Sequence, residues 1–161
     1  MDWQSRVDAV WADVGLTDDE RIAAIDALAS ELPAADARGL FERAGAHDAA
    51  GAEAEAEPLY RAALEAGLDE ERRPQAVIQL ASTLRNLGRS DEAVALLRTE
   101  IDREPASPLR DEAAAFLSLA LATGGDALGA ASVALLTLVP HLRRYRGAVT
   151  RYAEDLAASR G

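Results

Sequence analysis

Apolar residues recur along much of the chain with the 3.6-residue period of amphipathic helices. In the middle of the sequence, the apolar positions i, i+3, i+4 and i+7 of one helical face are Val77, Leu80, Ala81 and Leu84. Gly88 follows and ends the predicted helix, because glycine adopts a left-handed conformation at the least cost. Residues 90–92, with the sequence Ser-Asp-Glu, supply the N-cap and the first-turn acids of a second helix. The pattern predicts two antiparallel helices joined by a tight turn.

The same pattern occurs three times at a spacing of 37 residues. The glycines that end the first helix of each unit are Gly51, Gly88 and Gly125. Small residues precede these glycines by seven positions (Ala44, Ala81 and Ser118) and follow them by five (Ala56, Ala93 and Ala130). A hairpin of this kind cannot bury its apolar faces alone, so neighbouring hairpins must stack against it. The repeat therefore predicts an all-α fold of stacked antiparallel hairpins.

Helices are also predicted before and after the three repeats. Residues 2–14 and 18–32 have helical patterns, and Thr17 with Glu20 forms the signature of a capping box. The segment that follows Pro140 is predicted as one helix, which caps the far end of the stack with an arginine-rich face. We interpret the chain as a single domain with an N-terminal cap (1–34), three repeats (38–70, 71–106 and 107–139) and a C-terminal capping helix (140–161).

The charge of the chain narrows the choice of partner. A formal net charge of −11 argues against non-specific nucleic-acid binding, which depends on neutralising phosphates. Residues 1–71 hold 18 of the 28 acidic residues. Arginines and tyrosines form a C-terminal cluster, consisting of Arg143, Arg144, Tyr145, Arg146, Arg151 and Tyr152. Because both residue types are enriched in protein interfaces, the cluster predicts self-association, with the acidic half of a second copy as the complementary surface.

Residue types that carry enzyme chemistry are scarce. The chain has no cysteine, and His47 and His141 have no second ligand at metal-binding spacing. Neither a nucleophilic serine motif nor a glycine-rich phosphate loop is present. The most apolar segments, 113–123 and 127–140, are shorter than a membrane span, and the first residues do not resemble an export signal. We expect a cytoplasmic protein that is not an enzyme, has no metal or cofactor, and binds neither nucleic acid nor membranes.

The repeat unit resembles the tetratricopeptide repeat, and the resemblance covers residues 38–139. The second unit carries it best, through Leu80, Ala81, Gly88, Ala93 and Pro105. The whole chain is also similar to a small bacterial family of such proteins with no assigned function. The resemblance implies eight or nine helices in a short right-handed superhelix, in which the first helices of the hairpins line a concave groove.

The resemblance assigns ten residues to that groove: Arg38, Phe41, Asp48, Gln75, Ile78, Ser82, Arg85, Asn86, Glu112 and Leu119. A peptide or a helix of another protein is the implied ligand. Arg85 lies beside Asn86 and on one helical stripe with Ser82 and Ile78, and Phe41 is expected to add an exposed apolar wall. Since an arginine holds a carboxylate with two parallel hydrogen bonds, we expect a ligand with an acidic group beside an apolar side chain. A homodimeric scaffold without a peptide ligand is the alternative.

Overall fold

Nine α-helices make up most of residues 1–159, which are the residues that the computed structural model describes. They are α1 (Trp3–Ala12), α2 (Asp18–Ala29), α3 (Ala37–Ala49), α4 (Glu53–Ala66), α5 (Arg72–Asn86), α6 (Ser90–Ile101), α7 (Arg110–Thr123), α8 (Ala127–Leu138) and α9 (Arg146–Ala158). No strand occurs in this part of the chain. The predicted all-α fold with eight or nine helices is therefore confirmed. Within residues 1–159, every helix is too short or too polar to cross a lipid bilayer.

The chain forms two compact units. Unit 1 comprises residues 1–83 and unit 2 begins at residue 84, so the boundary lies inside α5. In unit 1, α1 packs on α2, α2 on α3, and α3 on α4. In unit 2, α6 packs on α7, α7 on α8, and α8 on α9. Within each unit, these consecutive helices contact one another, which is the packing expected of helical hairpin repeats.

The three turns predicted from the 37-residue spacing share one geometry. Gly51, Gly88 and Gly125 have φ angles of +72°, +78° and +93°, which lie in the left-handed region. After each glycine, an N–H group reaches back five residues to a carbonyl oxygen, at 2.9 Å (Ala52 to His47), 2.8 Å (Arg89 to Leu84) and 2.9 Å (Asp126 to Leu121). This Schellman arrangement satisfies carbonyl groups that the end of a helix leaves unpaired. The repeated turns confirm the register of the three hairpins.

The helix starts follow the sequence signals in part. The first-turn acids Asp91 and Glu92 of α6 are confirmed. The predicted N-cap is wrong, because α6 already begins at Ser90 and its N-cap is Arg89, which makes no side-chain capping bond. The Thr17 hydroxyl accepts a hydrogen bond from the N–H of Glu20 at 3.3 Å, and the Glu20 carboxylate accepts one from the N–H of Thr17 at 2.9 Å. This is the predicted capping box. Asp36 and Asp126 cap α3 and α8, where their carboxylates accept backbone N–H groups at 3.0 Å and 2.7 Å. Each cap satisfies an N–H group that has no partner within its helix.

The small residues that repeat around the glycines are buried. Ala44, Ala56, Ala81 and Ala93 are at most 1% exposed, and Ala130 is 6% exposed. In the third hairpin, the position of Ala44 and Ala81 is taken by a serine, Ser118, whose hydroxyl donates to the Ala130 carbonyl at 2.8 Å. This hydrogen bond joins α7 to α8 and satisfies the hydroxyl group of a side chain that is half-buried.

The prediction of one continuous helix after Pro140 is wrong. A 3₁₀ turn covers Val139–His141, and α9 begins only at Arg146. Between them Tyr145 has a φ of +66°, which interrupts the helical path. The Arg146 guanidinium closes this connection, because it donates to the carbonyl of Leu142 and, at 3.0 Å, to that of Pro140. Arg143 and Arg144 consequently lie in the connection, and the final residues of the predicted segment, 160 and 161, lie outside the described part.

Replacement of Gly88 by alanine tests the left-handed turn. No atom lies within 4 Å of a β-carbon built at Gly88, so backbone strain is the main cost, and the Gly88→Ala protein should lose about 1 kcal/mol of unfolding free energy. Gly147 has equally open space but lies in α9, so Gly147→Ala should be neutral or stabilising by up to about 1 kcal/mol. Urea unfolding of both variants measures the difference. Equal effects at the two sites would contradict the assigned turn geometry.

Candidate binding cleft

A cleft of about 510 Å³ opens in unit 1. Its walls come from α1, α3 and α5, with one residue each from α4 and from the connection before α5. The lining residues are Gln4, Asp8, Trp11, Phe41, Glu42, Gly45, Asp48, Ala49, Tyr60, Glu71, Arg72, Gln75 and Gln79. This volume lies in the range typical of small-ligand and anchor sites in proteins.

Helical spacing explains why these residues meet. On α3, the cleft residues Phe41, Gly45 and Asp48 are separated by four and three positions, and therefore share one face. On α5, Arg72, Gln75 and Gln79 are separated by three and four positions and share a face in the same way. The two helices are the first helices of consecutive hairpins, and one pair of lining residues, Glu42 and Gln79, occupies corresponding positions of the repeat.

Gly45 allows α1 to approach α3. A β-carbon at this position would lie 3.3 Å from Cζ2 of Trp11, which is tighter than an ordinary van der Waals contact. The indole therefore lies over the helix surface, and its Nε1–H donates to Oε2 of Glu42 at 2.8 Å. Trp11 remains 36% exposed, so part of the indole is open to a ligand.

Glu42 is a carboxylate on the floor of the cleft. It is only 6% exposed, and burial raises its pKa above the usual range. The hydrogen bond from Trp11 and the charge of Arg72 act in the opposite direction but do not cancel the effect of burial. The ionised form of Glu42 is therefore less well solvated in this protein than in water.

Asp48 forms a second polar site in the cleft. Its two carboxylate oxygens accept hydrogen bonds from the Tyr60 hydroxyl at 3.2 Å and from the Thr83 hydroxyl at 3.1 Å. Burial raises the pKa of Asp48 in spite of these bonds. Tyr60 is fully buried, and burial together with the nearby Asp48 charge raises the pKa of its hydroxyl strongly. Neutral donors, rather than cations, therefore hold this carboxylate.

A chain of polar contacts links α1 to α5 across the cleft. The Arg72 guanidinium pairs with Asp69 and donates to the Gln4 amide oxygen at 2.7 Å. The Gln4 amide nitrogen in turn donates to Asp8 at 2.8 Å. Because Arg72 is already paired, its charge is largely neutralised by residues of unit 1.

The two glutamines of α5 differ in their hydrogen bonding. Gln75 Nε2 donates to the Glu71 carbonyl at 3.0 Å. The side-chain oxygen of Gln79, in contrast, is buried and accepts no hydrogen bond from any described residue. A buried acceptor without a donor is costly, and this one lies in the wall of the cleft.

Three of the ten residues assigned to a groove line this cleft: Phe41, Asp48 and Gln75. The exposure expected for two of the ten is wrong, because Phe41 and Ile78 are only 8% and 6% exposed. Both are apolar and occupy corresponding positions 37 residues apart, where the helices bury them in the core. Ile78 therefore cannot form a solvent-facing stripe with Ser82 and Arg85.

The other assigned residues lie outside the lining of the cleft. Arg38 is exposed, pairs with Asp36 at 2.9 Å and lies over the Trp3 ring at 5.6 Å. Ser82 is half-buried. In unit 2, Arg85 donates to the Asn86 side chain at 3.2 Å, and the exposed residues include Asn86, Glu112 and Leu119.

Several cleft residues were missed by sequence reasoning: Gln4, Asp8, Trp11, Glu42, Gly45, Ala49, Tyr60, Glu71, Arg72 and Gln79. One signal was available for two of them. Glu42 and Gln79 occupy corresponding positions 37 residues apart, immediately after the apolar Phe41 and Ile78. A polar residue in both repeats at a position next to the core indicates a shared polar surface. No such signal marks α1, because it lies outside the repeats.

The C-terminal cluster is only partly available for contacts. Tyr145 and Tyr152 are 78% and 59% exposed. The Arg151 guanidinium lies over the Tyr152 ring at 5.0 Å, and Arg146 is engaged with backbone carbonyls. Among the residues the structure describes, no group of three or more histidine, aspartate or glutamate side chains is placed to hold a metal ion.

The comparison with protein families decides the classification. A family model described as the tetratrico peptide repeat matches residues 37–156. The chain belongs to the tetratricopeptide repeat family. The match includes most of α9 and leaves out α1 and α2. Members of this family are in general modules that interact with other proteins. No significant match was found among curated proteins or among solved structures.

The raised pKa of Glu42 predicts a pH-dependent difference in stability. A carboxyl group whose pKa is higher in the folded state supports folding at pH values below its unfolded pKa, and this support is lost as the pH rises through the folded pKa. Glu42→Gln removes this titration and keeps an acceptor for Trp11. As the pH rises from 4 to 7, the unfolding free energy of the variant should therefore increase relative to that of the wild type. Urea unfolding at a series of pH values measures this difference.

Glu31 provides the matched control in the same unit. Its hydrogen bond with Arg6 lowers its pKa, so its support for folding is present above the unfolded pKa and is lost as the pH falls. As the pH rises from 4 to 7, the unfolding free energy of Glu31→Gln should decrease relative to that of the wild type, which is opposite to the change in Glu42→Gln. A parallel trend for the two variants would contradict the buried environment assigned to Glu42.

Proposed function

We propose that this tetratricopeptide repeat protein binds a peptide or a helix of a partner protein in the cleft of unit 1. The observation that carries the proposal is the composition of the cleft: an aromatic wall faces polar groups that are already buried. Sites that bind protein segments combine apolar anchoring surface with a few placed polar groups. The cleft offers both within one enclosure.

Each part of the cleft has a role in this proposal. Trp11, which is 36% exposed, supplies the surface on which an apolar side chain or the stem of a long side chain packs, and Phe41 and Tyr60 are buried in the wall of the cleft. Gln75 and Gln79 can both donate and accept, and so can pair with the backbone of an extended segment. A volume of about 510 Å³ holds one or two side chains, so the cleft binds an anchor within a longer partner segment.

A tryptophan at the opening of the cleft tests the proposal. Ala49 is exposed, lies in the last turn of α3 and lines the cleft. Ala49→Trp should fill the opening without removing a buried group, and partner binding should fall at least tenfold. The measurement is a quantitative pull-down with mass spectrometry from the native cell, followed by titration of the partner that is found.

Ala23→Trp is the matched control. Ala23 is also exposed, lies in α2 of the same unit and does not line the cleft. This variant should retain the partner that Ala49→Trp loses. If both variants bind the partner as wild type does, the cleft is not the recognition site.

Self-association is a second candidate function, favoured by one face of α8. Its solvent-exposed residues Ala127, Leu128, Ala131, Ala134 and Leu138 are all apolar. A second copy of the chain presents the same uncharged face, so a two-fold contact would bring no like charges together. The exposed leucines gain burial in such a dimer.

Light scattering after gel filtration tests this candidate. A dimer that packs through α8 should become a monomer in Leu128→Glu, where the new charge is compatible with the first turn of the helix but not with the buried contact. Leu119→Glu introduces the same charge at an exposed leucine of α7 and should leave the mass unchanged. If the wild-type protein is a monomer at every concentration, self-association is not its function.

A further inference from the structure

The charge of the cleft in unit 1 identifies the kind of anchor that it fits. Four carboxylates line it, those of Asp8, Glu42, Asp48 and Glu71. The single lining cation, Arg72, is paired with Asp69. A carboxylate of a ligand would face four groups of like charge and one cation that is already engaged, whereas a cation would face an excess of opposite charge.

The hydrogen bonding of the cleft also favours a cationic ligand, independently of the charge. The buried side-chain oxygen of Gln79 has no donor among the described residues. A donor on a ligand reaches this oxygen only when the Gln79 side chain turns into the cleft, whereas a group that only accepts cannot satisfy it in any conformation. The ammonium of lysine and the guanidinium of arginine are donors only, with three and five N–H groups.

The aromatic wall also suits a positive charge. Trp11 is partly exposed at the cleft, and tryptophan is the aromatic residue whose ring face attracts cations most strongly. The aliphatic stem of a lysine or arginine would pack on the exposed part of Trp11 while its head reaches the polar groups of the cleft. A carboxylate side chain has neither property.

We propose that the cleft recognises a positively charged side chain, lysine or arginine, of the partner protein. This inference rests on the function proposed above and specifies its ligand. It replaces the acidic ligand that the sequence suggested through Arg85, because the cleft brings together carboxylates and Arg85 is not among its lining residues. The general excess of acidic residues in residues 1–71 adds long-range attraction for such a partner.

The buried carboxylates make the interaction dependent on pH. Burial raises the pKa of both Glu42 and Asp48. Around Glu42, Asp8 raises the pKa further, and Trp11, Gln4 and Arg72 lower it. Around Asp48, Glu53 raises the pKa, and Thr83 and Tyr60 lower it. A bound cation favours the ionised form of both groups, so affinity should decrease as the pH falls from 7 to 4.

Nuclear magnetic resonance of the full chain tests the inference with defined ligands. These are the pentapeptides Ac-Ala-Ala-Xaa-Ala-Ala-NH₂, in which Xaa is lysine, arginine, glutamate or norleucine. The lysine and arginine peptides should shift the Trp11 indole N–H and the Gln79 side-chain signals saturably, at low millimolar concentrations. The glutamate and norleucine peptides should not.

The chain contains its own spectroscopic control. Trp3, the other tryptophan, donates its indole N–H to the Leu28 carbonyl at 2.9 Å and does not line the cleft, so its signal should stay in place. Glu42→Gln should weaken binding of the lysine peptide about tenfold, while Glu31→Gln, which acts outside the cleft, should not change it. Unfolding curves of the two variants establish that both are folded.

Two results would overturn the inference. One is an equal shift of the Trp11 signal by the glutamate or norleucine peptide, and the other is an unmoved signal at tens of millimolar lysine and arginine peptide. The proposed function is judged separately by Ala49→Trp. If that variant loses the partner while the cationic peptides leave Trp11 unmoved, the cleft binds its partner through other chemistry and only the cation assignment is lost.

Discussion

The left-handed turn is the constraint on which the arrangement of this protein depends. At φ angles near +80°, a β-carbon crowds the following carbonyl, so Gly51, Gly88 and Gly125 cannot be exchanged for other residues without strain. Within unit 1, corresponding positions of α3 and α5 lie 37 residues apart and have similar surroundings. This relation buries Phe41 and Ile78 and directs Glu42 and Gln79 to one cleft.

The polar floor of the cleft is a local departure from what stability alone favours. An apolar residue at position 42 or 48 would avoid the desolvation of a carboxylate, which buried hydrogen bonds from Trp11, Tyr60 and Thr83 only partly offset. Structures retain such costly groups most often where a ligand contacts them. Elsewhere in the hairpins, the helices meet through alanine residues, which pack closely at little cost. In the cleft, by contrast, polar residues are kept although they lower stability, which is expected where residues are selected for binding.

The sequence contains most of the information about the fold and less about the site. Periodic apolar residues, glycines and capping boxes act over a few neighbouring positions, so the helices, the turns and the buried alanines can be predicted. The connection before α9 was missed because it depends on the Arg146 side chain reaching the Pro140 carbonyl, six positions back. The cleft was found only in part, since α1 lies outside the repeat and its approach to α3 depends on the space left by Gly45. Periodicity also does not reveal that Gln79 lacks a donor.

The position of the two tryptophans has a practical consequence for following the unfolding of this chain. Both belong to α1, and residues 84–161 contain none. Tryptophan fluorescence therefore reports the surroundings of the first helix, with Trp11 also sensing the water in the cleft, whereas far-ultraviolet circular dichroism averages over all the helices. When the two signals change at different denaturant concentrations, the two compact units unfold in separate steps, and a single free energy no longer describes the whole chain.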